Sequence, residues 1–120
     1  MSDVNELVDK LLQELRRGTI TIGVLSQLYE PHYGYSLVTT LKDKGIEVEP
    51  GTLYPLLRRL EKQGLLKSQW DTNEARPRKY YLLSSTGKTV YNQLCIEWRK
   101  IARSMEELIE PKEDPSDGDD

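Results

Sequence analysis

Six cations fall in two short groups, Arg58, Arg59 and Lys62, then Arg76, Arg78 and Lys79. Side chains of this kind at this density bind phosphate. Arg can also pair in a bidentate manner with guanine O6 and N7, while Lys neutralises phosphate as a point charge. The first group lies in "PGTLYPLLRRLEKQGLL" (50–66). At roughly 100° per residue, Leu53, Leu56, Leu57 and Leu60 share one arc, the mark of a core-facing helix stripe. The opposite arc is centred on Gly51, Pro55, Arg58 and Lys62. Thr52 and Arg59 flank one side and Tyr54 the other. A helix that enters a major groove needs small residues near its N-terminal end and cations beyond them. A merely solvated face would carry the same charges, so the helix alone does not decide.

Pro55 constrains where this helix starts. If Pro50 opens it, Pro55 lies past the first turn and removes a backbone hydrogen bond. If Thr52 is the cap, Pro55 falls at the third helical position, where a missing N–H costs nothing. The second account, or a distorted first turn, is preferred.

The second cationic group belongs to a different element. "LLKSQWDT" (65–72) and "RPRKYYLLS" (77–84) are extended runs around the polar "DTNEAR" (71–76), which predicts a β-hairpin with a loop longer than two residues. Arg76, Arg78 and Lys79 beside Pro77 give it a cationic tip, as a phosphate-contacting wing requires. Alternation places Tyr81 with Leu83 and Tyr80 with Leu82, and Tyr81 is expected in the core. A cationic ribbon following a cationic helix face favours DNA as the partner.

Net charge alone would mislead. The 120 residues sum to −3, but "EPKEDPSDGDD" (110–120) holds six acids against one lysine. Residues 58–79 hold seven cations against three acids. The acidic end (111–120) is expected to be disordered and solubilising, with competition against DNA as the sharper alternative.

Other chemistries find little support. Cys95 and His32 are the only residues of their types, so neither a disulfide framework nor a zinc site is expected. Cys95 reads as a small filler beside the apolar seam of the last helix, with redox sensing as the alternative. No nucleophile–base pair or Gly-rich phosphate loop is found, so no enzyme and no cofactor are expected. No eighteen-residue apolar run exists, and the acidic "MSDVNELVDKLL" does not resemble a signal peptide. The expectation is a cytoplasmic protein with no membrane partner.

The positioning elements follow from periodicity. "VNELVDKLLQELRR" (4–17) is amphipathic and helical, and Gly18 should interrupt it. "TITIGVLSQLY" (19–29) reads as a buried helix, a strand being the alternative for its start. "EPHYG" is a turn, and 35–44 a short helix with Leu37, Val38 and Leu41 inward, stopped by Gly45. Residues 84–110 form a long helix. The predicted fold is mainly α with a small β-hairpin, a winged helix-turn-helix plus a long C-terminal dimerisation helix. Its parts are an N-terminal helix extension (1–17), the winged helix-turn-helix (18–84), the dimerisation helix (85–110) and the acidic tail (111–120).

Along the last helix Tyr91, Leu94, Trp98, Ile101, Met105 and Leu108 repeat at alternating spacings of 3 and 4, a heptad seam. A seam on a terminal helix favours a homodimer, the commonest symmetric assembly. Trp98 reads as a packing anchor, or as a plate on which a flat apolar ligand could stack between subunits.

"HYGYSLVTTLKDKG", "VEPGTLYPLLRRLEKQGLL" and "RPRKYYLLSSTGK", in this order, resemble the signature segments of the PadR family of bacterial transcriptional regulators. The resemblance runs from about residue 15 to 110 and is closest to the small subgroup with one C-terminal helix. It implies a homodimeric repressor of a pseudo-palindromic double-stranded operator, released by a small-molecule effector. It assigns Tyr35 to the phosphate-facing start of the first helix-turn-helix element, and Thr52, Tyr54, Pro55 and Arg58 to the recognition helix. Arg76, Arg78 and Lys79 become the wing. Trp98 matches, by context, a tryptophan that sandwiches planar aromatic drugs at some dimer interfaces. The helix at 4–17 and the acidic tail depart from the family pattern. The alternative function is a winged-helix protein–protein interaction module that docks through its basic face.

Overall fold

The computed structural model describes residues 2–111. Seven elements follow in order: α1 (Ser2–Gln27), β1 (His32–Tyr33), α2 (Gly34–Asp43), α3 (Pro50–Lys62), β2 (Leu66–Asp71), β3 (Arg78–Leu83) and α4 (Ser85–Leu108). This is the expected winged helix-turn-helix followed by one long helix. Of the acidic end, Pro111 is exposed and irregular, and the remainder lies outside the described residues.

Leucine burial organises the fold. Leu53, Leu56, Leu57 and Leu60 of α3 are all buried, as their arc predicts. They join Val24 and Leu25 of α1, Leu28 just after it, Leu37 and Leu41 of α2, and Leu66, Tyr81 and Leu83 of the sheet in one cluster. Tyr81 is thus the core tyrosine. Both α2 and α3 end in a glycine with positive φ, Gly45 at +89° and Gly64 at +83°. The next amide reaches back across each turn, Ile46 N–H to Leu41 O and Leu65 N–H to Leu60 O. This is the left-handed stop that glycine permits without a Cβ clash.

Three expectations need correction. First, Gly18 does not break the N-terminal helix, and α1 runs through it without interruption. A glycine inside a helix costs about 1 kcal/mol relative to alanine, too little to stop a helix whose C-terminal half is anchored in the core. The strand alternative for residues 19–29 falls with it. Second, the 30–34 turn contains a strand. His32 and Tyr33 pair antiparallel with Tyr81 and Tyr80, so the sheet has three strands in the order β1-β3-β2. Third, Thr52 is not the cap of α3. Glu49 is the N-cap, Pro50 opens the helix and Pro55 lies inside it. The Glu49 carbonyl accepts from both Thr52 and Leu53 amides at 2.9 Å, completing the first turn before Pro55 arrives. The helix then lacks the N–H that would have bonded Gly51 O, a position exposed to water.

Helix α4 is fixed to the winged domain at its first turn. The Ser84 side chain accepts from Gly87 N–H at 2.9 Å and donates to Gly64 O at 2.6 Å. A Cβ at Gly87 would lie 2.0 Å from the Leu65 carbonyl oxygen, whereas one at Gly18 would meet nothing within 4 Å. The same substitution should therefore have opposite signs. Gly18→Ala is expected to stabilise by about 0.5–1 kcal/mol through helix propensity. Gly87→Ala is expected to destabilise by at least about 1–3 kcal/mol through overpacking against backbone. Denaturant melts of both variants check this.

Candidate nucleic-acid interface

The outward face of α3 is built by its inward one. With the leucine stripe buried, Thr52, Pro55, Arg58, Arg59 and Lys62 are all exposed. Tyr54 is half-buried. Its ring lies so close to Gly34 that a Cβ there would sit 2.4 Å from the ring's edge. The glycine at the start of α2 therefore lets α3 and α2 approach through Tyr54. Tyr35, the next residue, points away from the core and is 70% exposed.

The wing is the β2–β3 ribbon and its loop. Its register pairs Trp70 with Lys79 and Asp71 with Arg78. Asp71 organises the loop side. Tyr33 donates its hydroxyl to Asp71 Oδ2 at 2.6 Å, and Asn73 N–H donates to Oδ1 at 3.1 Å. The Arg78 guanidinium lies 4.1 Å over the Tyr33 ring and 3.3 Å from Glu74. Glu61 of α3 organises the other side. It accepts from Ser68 Oγ at 2.5 Å and lies 3.6 Å from Lys79 Nζ. One carboxylate thus ties α3 to both strands of the wing.

These features enclose a cleft of about 420 Å³, lined by Tyr35, Tyr54, Arg58, Trp70, Arg78 and Lys79 with Tyr33, Gly34 and Tyr81. Five of the ten anticipated DNA-binding residues meet there: Tyr35, Tyr54, Arg58, Arg78 and Lys79. Thr52 does not. It lies on the opposite side of α3, in a second cleft with Arg16, Arg17 and Lys42. Pro55, Arg59 and Lys62 are exposed outside both clefts, and Arg76 is exposed in the wing loop. Among the described residues, Arg58, Arg59, Lys62 and Arg76 have no ion pair. The pairs of Arg78 and Lys79 are partly solvated, and such pairs contribute about 0–1 kcal/mol. A phosphate can replace either carboxylate at little cost.

Four contributors escaped the sequence reading: Glu61, Tyr33, Asp71 and Trp70. Period-two alternation from Leu66 would have placed Trp70 on the α3-facing side of the ribbon. The Tyr33–Asp71 contact had no sequence signal, since it spans the unrecognised strand β1.

A family model described as the transcriptional regulator PadR-like family matches residues 22–93. The chain belongs to this PadR-like family. It is 45% identical to a PadR family transcriptional regulator from Eggerthella lenta, whose crystal structure it matches with a TM-score of 0.87 over 93% of this chain and all of that one. A transcriptional regulator from Clostridium thermocellum matches with a TM-score of 0.74 at 30% identity, over 81% of this chain and 99% of that one. A transcriptional regulator of Mycobacterium tuberculosis is 31% identical over 95 residues, covering 78% of this chain and 89% of the relative. The PadR-like family is one of transcriptional regulators, not of enzymes. No helix among the described residues is long and apolar enough to cross a membrane.

The Tyr33–Asp71 hydrogen bond holds the Asp71 carboxyl below its ordinary value, aided by the Asn73 amide, and holds the Tyr33 phenol above its own. The Asp71 contribution to wing order is present above the ordinary carboxyl pKa and is lost as pH falls through the depressed one. The Tyr33 contribution is present below the ordinary phenol pKa and is lost as pH rises through the raised one. In Tyr33→Phe the Asp71 carboxyl should titrate closer to its ordinary value, and wing amides should exchange faster at neutral pH. A carboxyl-carbon NMR titration with hydrogen exchange checks both.

Proposed function

We propose that this PadR-like regulator is a homodimeric repressor that binds a pseudo-palindromic operator and releases it when a small molecule binds near the dimer interface. The observation that carries the DNA reading is the convergence of Arg58 from α3 with Arg78 and Lys79 from the wing at one cleft. Arg58 reads a base edge, Thr52, Pro55, Arg59 and Lys62 extend the groove-facing side, and Tyr35, Arg76, Arg78 and Lys79 hold backbone phosphates. The working compartment is the cytoplasm, where a bacterial regulator meets its DNA.

Two apolar stripes support the dimer. On α1, Val4, Leu7, Val8, Leu11 and Leu15 are exposed. On α4 the anticipated seam divides in two. Tyr91 and Leu94 pack against their own core, Tyr91 edge-to-face on Tyr29 with ring centroids 5.8 Å apart. Trp98, Ile101, Met105 and Leu108 remain exposed. A second copy covers both stripes, and Trp98, 45% exposed midway along α4, is the plate for a planar aromatic effector.

A gel shift with the duplex upstream of the protein's own gene tests the DNA reading. Arg58→Ala should cost about 1–3 kcal/mol of discrimination against random DNA. Lys79→Ala should weaken all DNA alike and lower the salt slope by about one. No salt-sensitive, sequence-dependent shift by the wild type would leave docking of a protein partner on the basic face as the reading to pursue. Planar aromatic cations should release the wild type but not Trp98→Ala, and equal release would remove the stacking role. For the dimer, sedimentation should give twice the chain mass for the wild type and a monomer for Ile101→Glu. A wild-type monomer at micromolar concentration would refute the two-fold arrangement.

A further inference from the structure

Trp70 has no role in the assignments above, although it is 63% exposed. Alternation along β2 places Leu66, Ser68 and Trp70 on one face, opposite Leu83, Tyr81 and Lys79 on β3. Leu66, Tyr81 and Leu83 are buried in the core, and Ser68 and Lys79 are both held by Glu61 of α3. Trp70 is the next side chain of β2 on that face, directly opposite Lys79, whose Nζ lies 6.0 Å from the indole centroid. It therefore stands where the ribbon overhangs the outer side of the recognition helix. There it lines the cleft with Tyr35, Tyr54, Arg58, Arg78 and Lys79.

A large exposed indole walled by three cations is not accounted for by core packing. Its chemistry is specific. The ring face is apolar, and its one polar group is an N–H that only donates. A ligand suited to the cleft has repeated negative charges separated by small apolar bodies. A sugar–phosphate strand is such a ligand. We propose that Trp70 is a DNA-backbone contact, its ring against a deoxyribose while Arg78 and Lys79 hold the flanking phosphates. This assignment rests on the DNA-binding reading and adds to it a neutral contact between the recognition helix and the wing.

A backbone contact carries no sequence information, and a neutral one releases no counterion. Trp70→Ala should therefore weaken binding to the upstream duplex and to a random duplex by the same factor, roughly tenfold. Its salt slope should equal that of the wild type, unlike that of Lys79→Ala. Saturating duplex should change the tryptophan emission of the wild type, and that change should vanish in Trp70→Phe, which keeps an aromatic ring in the cleft. Trp70→Ala binding within about twofold of wild type on both duplexes would overturn the assignment. So would an emission change that survives intact in Trp70→Phe, and this arm decides even if the alanine variant folds poorly. A loss confined to the upstream duplex would make Trp70 a base reader, which also overturns it. A wild type that shifts neither duplex would defeat the DNA reading itself, an outcome distinct from a wild type that binds while Trp70 proves silent.

Discussion

The stripe of Leu53, Leu56, Leu57 and Leu60 packs into leucines from α1 and α2 and against the buried ends of β2 and β3. Each fully buried leucine contributes about 1.5–3 kcal/mol, whereas each partly solvated ion pair of the wing contributes about 1 kcal/mol or less. The difference decides what holds what. Apolar burial sets the rotation of α3 about its axis, and the charges follow. Once the leucines are inward, the roughly 100° step per residue leaves Arg58, Pro55 and Lys62 with nowhere to go but outward. Tyr54 and Glu61 then flank the side facing α2 and the wing, and Thr52 and Arg59 the other.

Rigid and yielding contacts are distributed differently around this helix. On its inward side, Leu53, Leu56, Leu57 and Leu60 are buried against α1 and α2, and the tip of Tyr54 lies against Gly34. Farther along, Glu61 reaches Ser68 and Lys79 through one flexible carboxylate. The angle between α2 and α3 is therefore fixed by packing, while the wing is attached by exchangeable polar contacts. A helix held by buried leucines keeps one orientation, whereas the ribbon's partly solvated ion pairs can exchange partners at little cost.

The elements with strong apolar periodicity were legible from sequence: the stripes of α2, α3 and α4, and the Tyr81–Leu83 face of β3. What was missed lacked a local signal. Strand β1 has two residues, too few for alternation, and its partners lie nearly fifty positions later. Gly18 and Pro55 are poor helix residues by local propensity, yet neighbouring turns carry the helix through both, because propensity is weak beside tertiary anchoring. At the site, cation-rich segments advertised Arg58, Arg78 and Lys79. Glu61 was hidden by having the opposite sign, since a search for phosphate ligands passes over the carboxylate that positions one. Thr52 is exposed as its arc predicts, but it lines the cleft beside Arg16 and Lys42 and not the one that holds Arg58.

The long helices give the molecule its 69 × 35 × 23 Å extent. Each has one half in the winged domain and one half outside it. The C-terminal half of α1 enters the core at Ile20, Val24 and Leu25, and Leu28 just beyond it is buried with its O accepting from Leu83 N–H at 2.7 Å at the end of the wing's central strand. The first turn of α4 is locked to the α3–β2 turn by Ser84 and Gly87, and its next turn meets the turn after α1, where Tyr29 packs on Tyr91 and donates to Asn92. A helix transmits displacement along its length because its backbone hydrogen bonds resist bending. The exposed halves of α1 and α4 are therefore joined to the element that carries Arg58 through contacts of known composition, the Ser84–Gly87 lock and the Tyr29–Tyr91 packing.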